Sequence, residues 1–224
     1  MFPRAEDPVN RVRFCPTALA ATQYTALLLL AIPLVSGCTS LRRLAYEGFS
    51  RDSWQQSARV IGALGIRPGD RIADLGAGSG YFTVRLSPAV GPRGKVFAVD
   101  VDKDMNEYLR RRLAGTCVEN VEIILARTDD PLLPDAGIDL VLTVNTYHHI
   151  HNRPGYFRSL RRDLAPAGRV AVIDFDGRKF MRLLGHYTPK ETLLREMSEA
   201  GYEVVESYDF LDRQSFVIFR AKNR

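Results

Sequence analysis

The stretch Arg71-Ile-Ala-Asp-Leu-Gly-Ala-Gly-Ser-Gly-Tyr81 constrains this chain more than any other. Ile72, Ala73 and Leu75 form an apolar run broken by one acid, Asp74. The run ends in Gly76, Gly78 and Gly80, and a helix-like segment follows from Phe82 to Leu86. A strand that stops in a glycine turn and opens a helix aims unpaired backbone N–H groups and a positive dipole end at one spot. Glycine lets a ligand come close to the backbone there. In outline this is a nucleotide-type pocket, and the rest of the chain decides which nucleotide it suits.

The surrounding sequence alternates between strand and helix. Trp54, Ala58, Ile61 and Leu64 recur at helical spacing over Arg51–Leu64, and Pro68-Gly69 ends that pattern. Arg71–Leu75 is the first strand, and Tyr81–Ala89 the helix after it. Lys95–Val101 is a continuous apolar run of the buried parallel-sheet kind. Val121–Ala126, Ile138–Val144 and Arg169–Phe175 read as further strands. Helices are expected over Lys103–Ala114, Arg153–Leu164 and Pro189–Ala200. The pattern predicts an α/β fold: a three-layer, Rossmann-like, doubly wound sheet that is mostly parallel. Two strands come in succession at the end, Glu203–Phe210 and Ser215–Ala221. They predict a terminal hairpin with an antiparallel edge strand.

A chain of 224 residues is long enough for one domain with a substantial core. The net charge of +5 is scattered, with no dense Lys/Arg tract interleaved with aromatics, so no nucleic-acid partner is expected. No residue is assigned to a metal.

The N-terminus has a different character. Arg4, Arg11 and Arg13 precede an apolar block, Ala26–Val35, that is shorter than the ~20 residues of a membrane span. It has the length of a signal-peptide core. It ends in Leu34-Val-Ser-Gly-Cys38, which resembles the bacterial lipoprotein signal, where small residues precede the cysteine that is lipidated. The expectation is a signal peptide over 1–37, lipid on Cys38, a tether over 38–50 and the folded domain over 51–224. The domain would then be anchored to the membrane of the cell envelope and face the periplasm. An uncleaved anchor or an apolar helix is the plainer account of the same block, and a different translation start would leave the domain cytoplasmic. Of the other cysteines, Cys15 would leave with the signal and Cys117 reads as a small core residue, so no disulfide framework is available.

The glycine spacing narrows the ligand. A dehydrogenase turn carries glycine at the first, third and sixth places, and the sixth place counted from Gly76 is Tyr81. The pattern present is acid-x-Gly-x-Gly-x-Gly, from Asp74 to Gly80. Three companions follow in order: Val99-Asp100 ending the second strand, Leu132-Leu-Pro134 before Ile138-Asp-Leu-Val141, and Leu164-Ala-Pro-Ala-Gly-Arg-Val170. On these motifs the chain, from about Arg51 onward, resembles the class I S-adenosylmethionine-dependent methyltransferases of the type 11, UbiE-like kind.

The resemblance implies S-adenosyl-L-methionine as cofactor, with roles for particular residues. Gly76, Ala77, Gly78 and Gly80 would present backbone N–H groups to the amino-acid tail. Asp74 would sit near the ammonium and sulfonium. Asp100, with Val101 beside it, would take the ribose hydroxyls, and Asp102 is expected to cap the next helix. Asp129, or its neighbour Asp130, would meet the adenine, although two solvated loop acids explain the same pair. Met105 would pack on the adenine face or simply in the core.

The methyl acceptor would be reached from Asn145-Thr-Tyr-His-His149, where Asn145 would also contact the cofactor. Methyl transfer is an in-line displacement on an activated carbon, so alignment and water exclusion supply much of the rate. Where the acceptor is protonated, His148 or His149 would serve as base, and Tyr147 would orient the acceptor or touch the sulfonium. Related methyltransferases with varied substrates carry a similar His-His segment, which argues that one of the two histidines is structural. Trp54, Asp174 and His186 are candidate substrate contacts at the cleft mouth. The basic, apolar segment from Gly177 to Tyr187 reads as a plain amphipathic surface turn, with a membrane-facing lid as the alternative. The expected partner is a small-molecule or lipid-like acceptor. The competing expectation is an envelope lipoprotein that binds the cofactor without turnover.

Overall fold

The computed structural model describes residues 51–177 and 186–222. The expected signal peptide, the tether, Cys38 and most of the basic segment after Gly177 lie outside the described residues. The described residues begin with two short helices, α1 (Arg51–Gln55) and α2 (Ser57–Ala63). These replace the single helix expected there. Gln56 between them is left-handed, with φ 46°, and its side-chain amide donates to the Phe210 carbonyl at 2.7 Å. A contact 154 residues away thus breaks a continuous helical pattern.

Then follow β1 (Arg71–Leu75), α3 (Thr83–Val90), β2 (Lys95–Asp100), α4 (Lys103–Leu113), β3 (Val121–Leu125) and β4 (Ile138–Val144). A 3-10 turn over Tyr147–His149 leads to α5 (Arg153–Leu160), β5 (Leu164–Phe175), α6 (Lys190–Glu199), β6 (Tyr202–Tyr208) and β7 (Gln214–Ala221). Asp102 caps α4 as expected, its carboxylate accepting from the Asp104 and Met105 amides.

Seven strands form one sheet in the order β3-β2-β1-β4-β5-β7-β6. The pairs from β3 to β5 are parallel; β7 is antiparallel to both β5 and β6. The expected terminal hairpin is present, with the edge strand β6 antiparallel to β7, and β7, which runs against the parallel set, lies between β5 and β6. Its sequence is consistent with that place. Ser215 to Phe219 are buried without interruption, as in a central strand, whereas β6 exposes Glu203 to Ser207.

Alternate residues of each strand feed opposite faces. Ile72, Val96, Leu140 and Leu142 pack with Val60, Leu64, Leu86 and Val90 of α2 and α3. On the same side, Ala98 meets Leu109 of α4. Ala73, Val99, Val141 and Val172 pack with Phe157, Leu193 and Met197 of α5 and α6. Helices on both faces make the three layers that the alternation predicted, and every parallel strand delivers its carboxyl end to one edge of the sheet. Cys117 is exposed, not the core residue expected.

Candidate functional site

Three glycines let β1 turn sharply onto α3. Gly76, Gly78 and Gly80 all have positive φ, at 80°, 53° and 82°. Two of them also mark close approaches. A Cβ on Gly76 would lie 2.0 Å from Thr146 Oγ1, and one on Gly80 would lie 2.3 Å from Leu109 Cδ1. The turn is locked to β2: the amides of Gly76 and Ala77 donate to the Val99 carbonyl at 2.8 and 3.1 Å, and that of Gly80 to the Ala77 carbonyl at 2.8 Å. The Gly78 amide donates to Asp100 Oδ2 at 2.7 Å. These four N–H groups, expected to meet the amino-acid tail of the cofactor, instead hold the turn in shape. Fixing the turn this way keeps the backbone bare at its surface.

Two acids flank the turn. Asp74 is buried and accepts from Thr83 Oγ1 at 2.6 Å. Burial pushes its pKa from 3.8 up to about 6, Thr83 and Arg51 oppose the rise, and Asp100 adds to it. Asp100 is 8% exposed. Its Oδ1 accepts from the Asp102 amide at 2.8 Å, so each carboxylate oxygen keeps a lone pair for a ligand hydroxyl. Burial raises its pKa as well. Val101, next to it, is a 54% exposed apolar side chain, suited to lie under a flat base.

Asp129 is exposed beyond β3, while Asp130 is spent on structure: it accepts from the Leu132 amide and pairs with Arg162 at 2.9 Å. Asp129 is thus the acid of the pair with a free approach. Met105 is buried, as core. A guanidinium that the sequence reading passed over also stands here. Arg51 lies over the Tyr81 ring at 3.9 Å and acts on Asp74 through space, and Arg85 stacks on Tyr81 at 4.0 Å. Asp52 accepts from the Tyr81 hydroxyl and from Arg85, which pins α1 against the turn.

The acceptor end is built from the ends of β4 and β5. Asn145, left-handed at φ 56°, accepts from Gln214 Nε2 at 2.5 Å, and Gln55 Nε2 donates to Gln214 Oε1 at 2.8 Å. This buried amide relay ties α1, β7 and the β4 loop together. Gln214 is the member that the sequence does not point to, since it lies 159 residues from Gln55. Trp54 stacks on Phe175 at 5.8 Å.

Tyr147 does not face the cleft. It is fully buried, stacks on Phe157 at 5.2 Å and donates its hydroxyl to Glu196 at 3.0 Å. Burial and the neighbouring Glu196 raise its pKa; its ring and hydroxyl are taken up inside the core rather than presented to the cleft, where a sulfonium or acceptor contact was expected. The 3-10 turn rotates Tyr147 inward, leaves His149 exposed and tucks the His148 side chain, only 6% exposed, against Asp174.

Those two residues, His148 and His149, meet His186. The ring centroids are 4.1 Å apart for His148 and His149, 5.6 Å for His148 and His186, and 5.3 Å for His149 and His186. His148 Nδ1 is 2.7 Å from Oδ1 of the buried Asp174. Partial burial, with the His148 and His186 rings beside it, keeps the pKa of His149 below its usual 6.5. Four residues named separately from sequence are thus one cluster. A hollow of about 650 Å³ lined by Arg71, Lys95 and Glu122 opens at the opposite, amino end of β1 and β2, away from this chemistry.

The β1 turn with its acid, the second acid closing β2 and the strand order together define the class. This is the architecture of the S-adenosylmethionine-dependent methyltransferases. Residues 72–168 match the family described as a methyltransferase domain.

Over 154 residues the chain is 31% identical to the ubiquinone/menaquinone biosynthesis C-methyltransferase UbiE of Vibrio vulnificus, covering 68% of this chain and 59% of that protein. It is 32% identical over 123 residues to the protein of the same name from Pseudomonas fluorescens, covering 54% of this chain and 47% of that one. The chain thus spans roughly half to three fifths of the length of these relatives.

Among solved structures, a SAM-dependent methyltransferase from Aquifex aeolicus superposes with a TM-score of 0.75 at 22% identity, over 81% of this chain and 97% of that one. A possible exported protein from Bordetella parapertussis gives 0.62 at 17% identity, over 89% and 79%. These likenesses establish the fold.

Proposed function

We propose that this chain transfers the methyl group of S-adenosyl-L-methionine to a small, membrane-associated acceptor. One observation carries the reading: two buried carboxylates, Asp74 and Asp100, flank the glycine turn. Both are pushed toward protonation by burial, and a cationic ligand is what relieves that cost. A pyrophosphate would be repelled by the same pair. The sulfonium and ammonium of the donor supply positive charge, and its ribose supplies two hydroxyls for the open lone pairs of Asp100. Arg51, beside the turn, is placed to take the tail carboxylate. Val101 and Asp129 flank the adenine. The methyl group then points toward the β4 loop, where the acceptor's nucleophilic atom displaces the sulfur in line.

An amphiphilic, quinol-like acceptor is favoured because relatives at 31–32% identity are named for C-methylation in ubiquinone/menaquinone biosynthesis. An exported, lipid-anchored setting is supported by the Leu34–Cys38 motif and by the fold shared with a possible exported protein. Cys38→Ser should abolish labelling by a fatty-acid probe, and labelling that persists would remove the anchor from the account. The function itself is tested with a labelled methyl donor against membrane extract and against soluble metabolites, with Asp100→Ala as blank. Label in an extractable lipid fraction that the variant fails to produce supports the reading. Donor that binds while no fraction takes label points instead to a cofactor-binding protein without turnover.

A further inference from the structure

Beyond the methyltransferase reading, we propose that His148, His149 and His186 hold one divalent transition-metal ion of the zinc class, with an open coordination position facing the acceptor. One ring nitrogen from each histidine lies within 4.8 Å of the others. An ion bound at about 2.0–2.1 Å by three imidazoles sets its nitrogens about 3.3 Å apart. Rotation of the two exposed rings, His149 and His186, closes that gap. Imidazole suits zinc and its neighbours in the first transition row, while magnesium and calcium prefer oxygen.

Three features beyond proximity mark a built site. First, Asp174 binds Nδ1 of His148 at 2.7 Å, which fixes the ring and leaves Nε2 for the ion. A carboxylate behind a histidine is the usual support of a metal ligand, since it orients the ring and raises its basicity. Second, Asp174 is fully buried, and its Oδ2 has no partner among the described residues. A buried carboxylate so lightly compensated lies directly behind the His148 ring, and a cation bound on the ring's far side offsets the cost of burying it.

Third, the backbone directly after His186 is held in place. The Thr188 amide donates to the Phe175 carbonyl at 2.8 Å. Tyr187 lies against Gly177, at φ 80°, so closely that a Cβ there would come within 2.5 Å of its ring. The cluster also adjoins the donor turn, because Thr146, two residues before His148, is the side chain that abuts Gly76. Three protein ligands leave a fourth position for solvent or substrate. An acceptor oxygen bound there would be held beside the donor and made more acidic. That last role rests on the methyltransferase reading, whereas the metal site does not.

The test uses the full chain without an affinity tag, stripped with chelator. Zn²⁺ is titrated in competition with a chromophoric chelator and without methyl donor, and Co²⁺ is added separately for its visible spectrum. About one Zn²⁺ per chain is expected, with the intense visible bands of four-coordinate Co²⁺. His186→Ala should weaken Zn²⁺ at least about tenfold, and Asp174→Asn by about 10–100-fold. His186→Ala changes a surface residue, so its circular dichroism and its affinity for S-adenosylmethionine should stay those of the parent chain. A folded parent chain that takes up no Zn²⁺ overturns the proposal, and so does Zn²⁺ affinity unchanged by His186→Ala. Zn²⁺ uptake by a chain that does not bind the methyl donor would support the site and defeat only the methyltransferase reading.

Discussion

The two ends of the cleft are made in different ways. The donor end is mostly backbone. Its shape comes from a few consecutive residues, Asp74 to Gly80, clasped to the neighbouring strand through Val99 and Asp100. The acceptor end is made of side chains brought from afar: Trp54 from α1, the histidines after β4, Asp174 from β5, His186 before α6 and Gln214 from β7. At the donor end each carboxylate already has donors at 2.6–2.8 Å. At the acceptor end Asp174 has one oxygen with no partner among the described residues. A backbone site accepts one ligand well and tolerates little change. A side-chain site can be retuned for different acceptors on the same fold.

The contrast predicts effects of different size and kind. The largest is at the clasp. Asp100→Ala removes the acceptor of the Gly78 amide and, on the proposed function, of the ribose hydroxyls, and should weaken S-adenosylmethionine by about a hundredfold, since hydrogen bonds to charged groups are worth about 1.5–3 kcal/mol each. Calorimetric affinity checks this, and a loss below about fivefold would mean that the turn is not organised by Asp100.

Gly76→Ala comes next. It forces a left-handed alanine against Thr146 and should cost about 2–4 kcal/mol of stability, combining a strained backbone with overpacking. Chemical denaturation reads this out. Gly62→Ala, where a Cβ meets nothing within 4 Å, is the control and should be near neutral.

Asp74 gives a pH test. Its pKa in the fold, about 6, lies above the ordinary 3.8, so protons are taken up on folding between those values. The sign follows: without ligand, Asp74 makes the fold less stable as pH rises from about 4 to 6. A cationic ligand needs the ionised form, so donor affinity should rise as pH climbs toward 6 and level off above it. Asp74→Asn should bind more weakly and flatten that rise. An unchanged slope in the variant would assign the titration to another group.

The smallest effect distinguishes core from cleft. Tyr147→Phe removes one hydrogen bond to Glu196, which keeps Arg153 at 2.7 and 2.9 Å. About 1 kcal/mol of stability should be lost, with donor affinity unchanged. A selective loss of turnover in this variant would return Tyr147 to the cleft.

The sequence reading succeeded where structure is local. The strand–glycine–helix turn, the acids ending β1 and β2, the Asp102 cap and the helix-strand alternation are all set by neighbours within a few residues. It failed where distant contacts decide. The break at Gln56 depends on Phe210, and the placing of β7 between β5 and β6 depends on which face of a hairpin the sheet accepts. Tyr147 sits among polar loop residues, and only the 3-10 turn sends it into the core. Cys117 looked like core because it falls between a helix and a strand, yet it is exposed. The histidines were visible singly, but His186 is 37 positions after His149, and no spacing rule joins them.

The central claim is that the glycine turn, flanked by two buried acids, selects a cationic nucleoside rather than a dinucleotide. Calorimetric titration of the same protein with S-adenosylmethionine and with NAD tests it most directly. The account predicts saturable binding of about one S-adenosylmethionine per chain and no competition from NAD. Binding of NAD that displaces S-adenosylmethionine, or that occurs without any binding of the sulfonium donor, would contradict it.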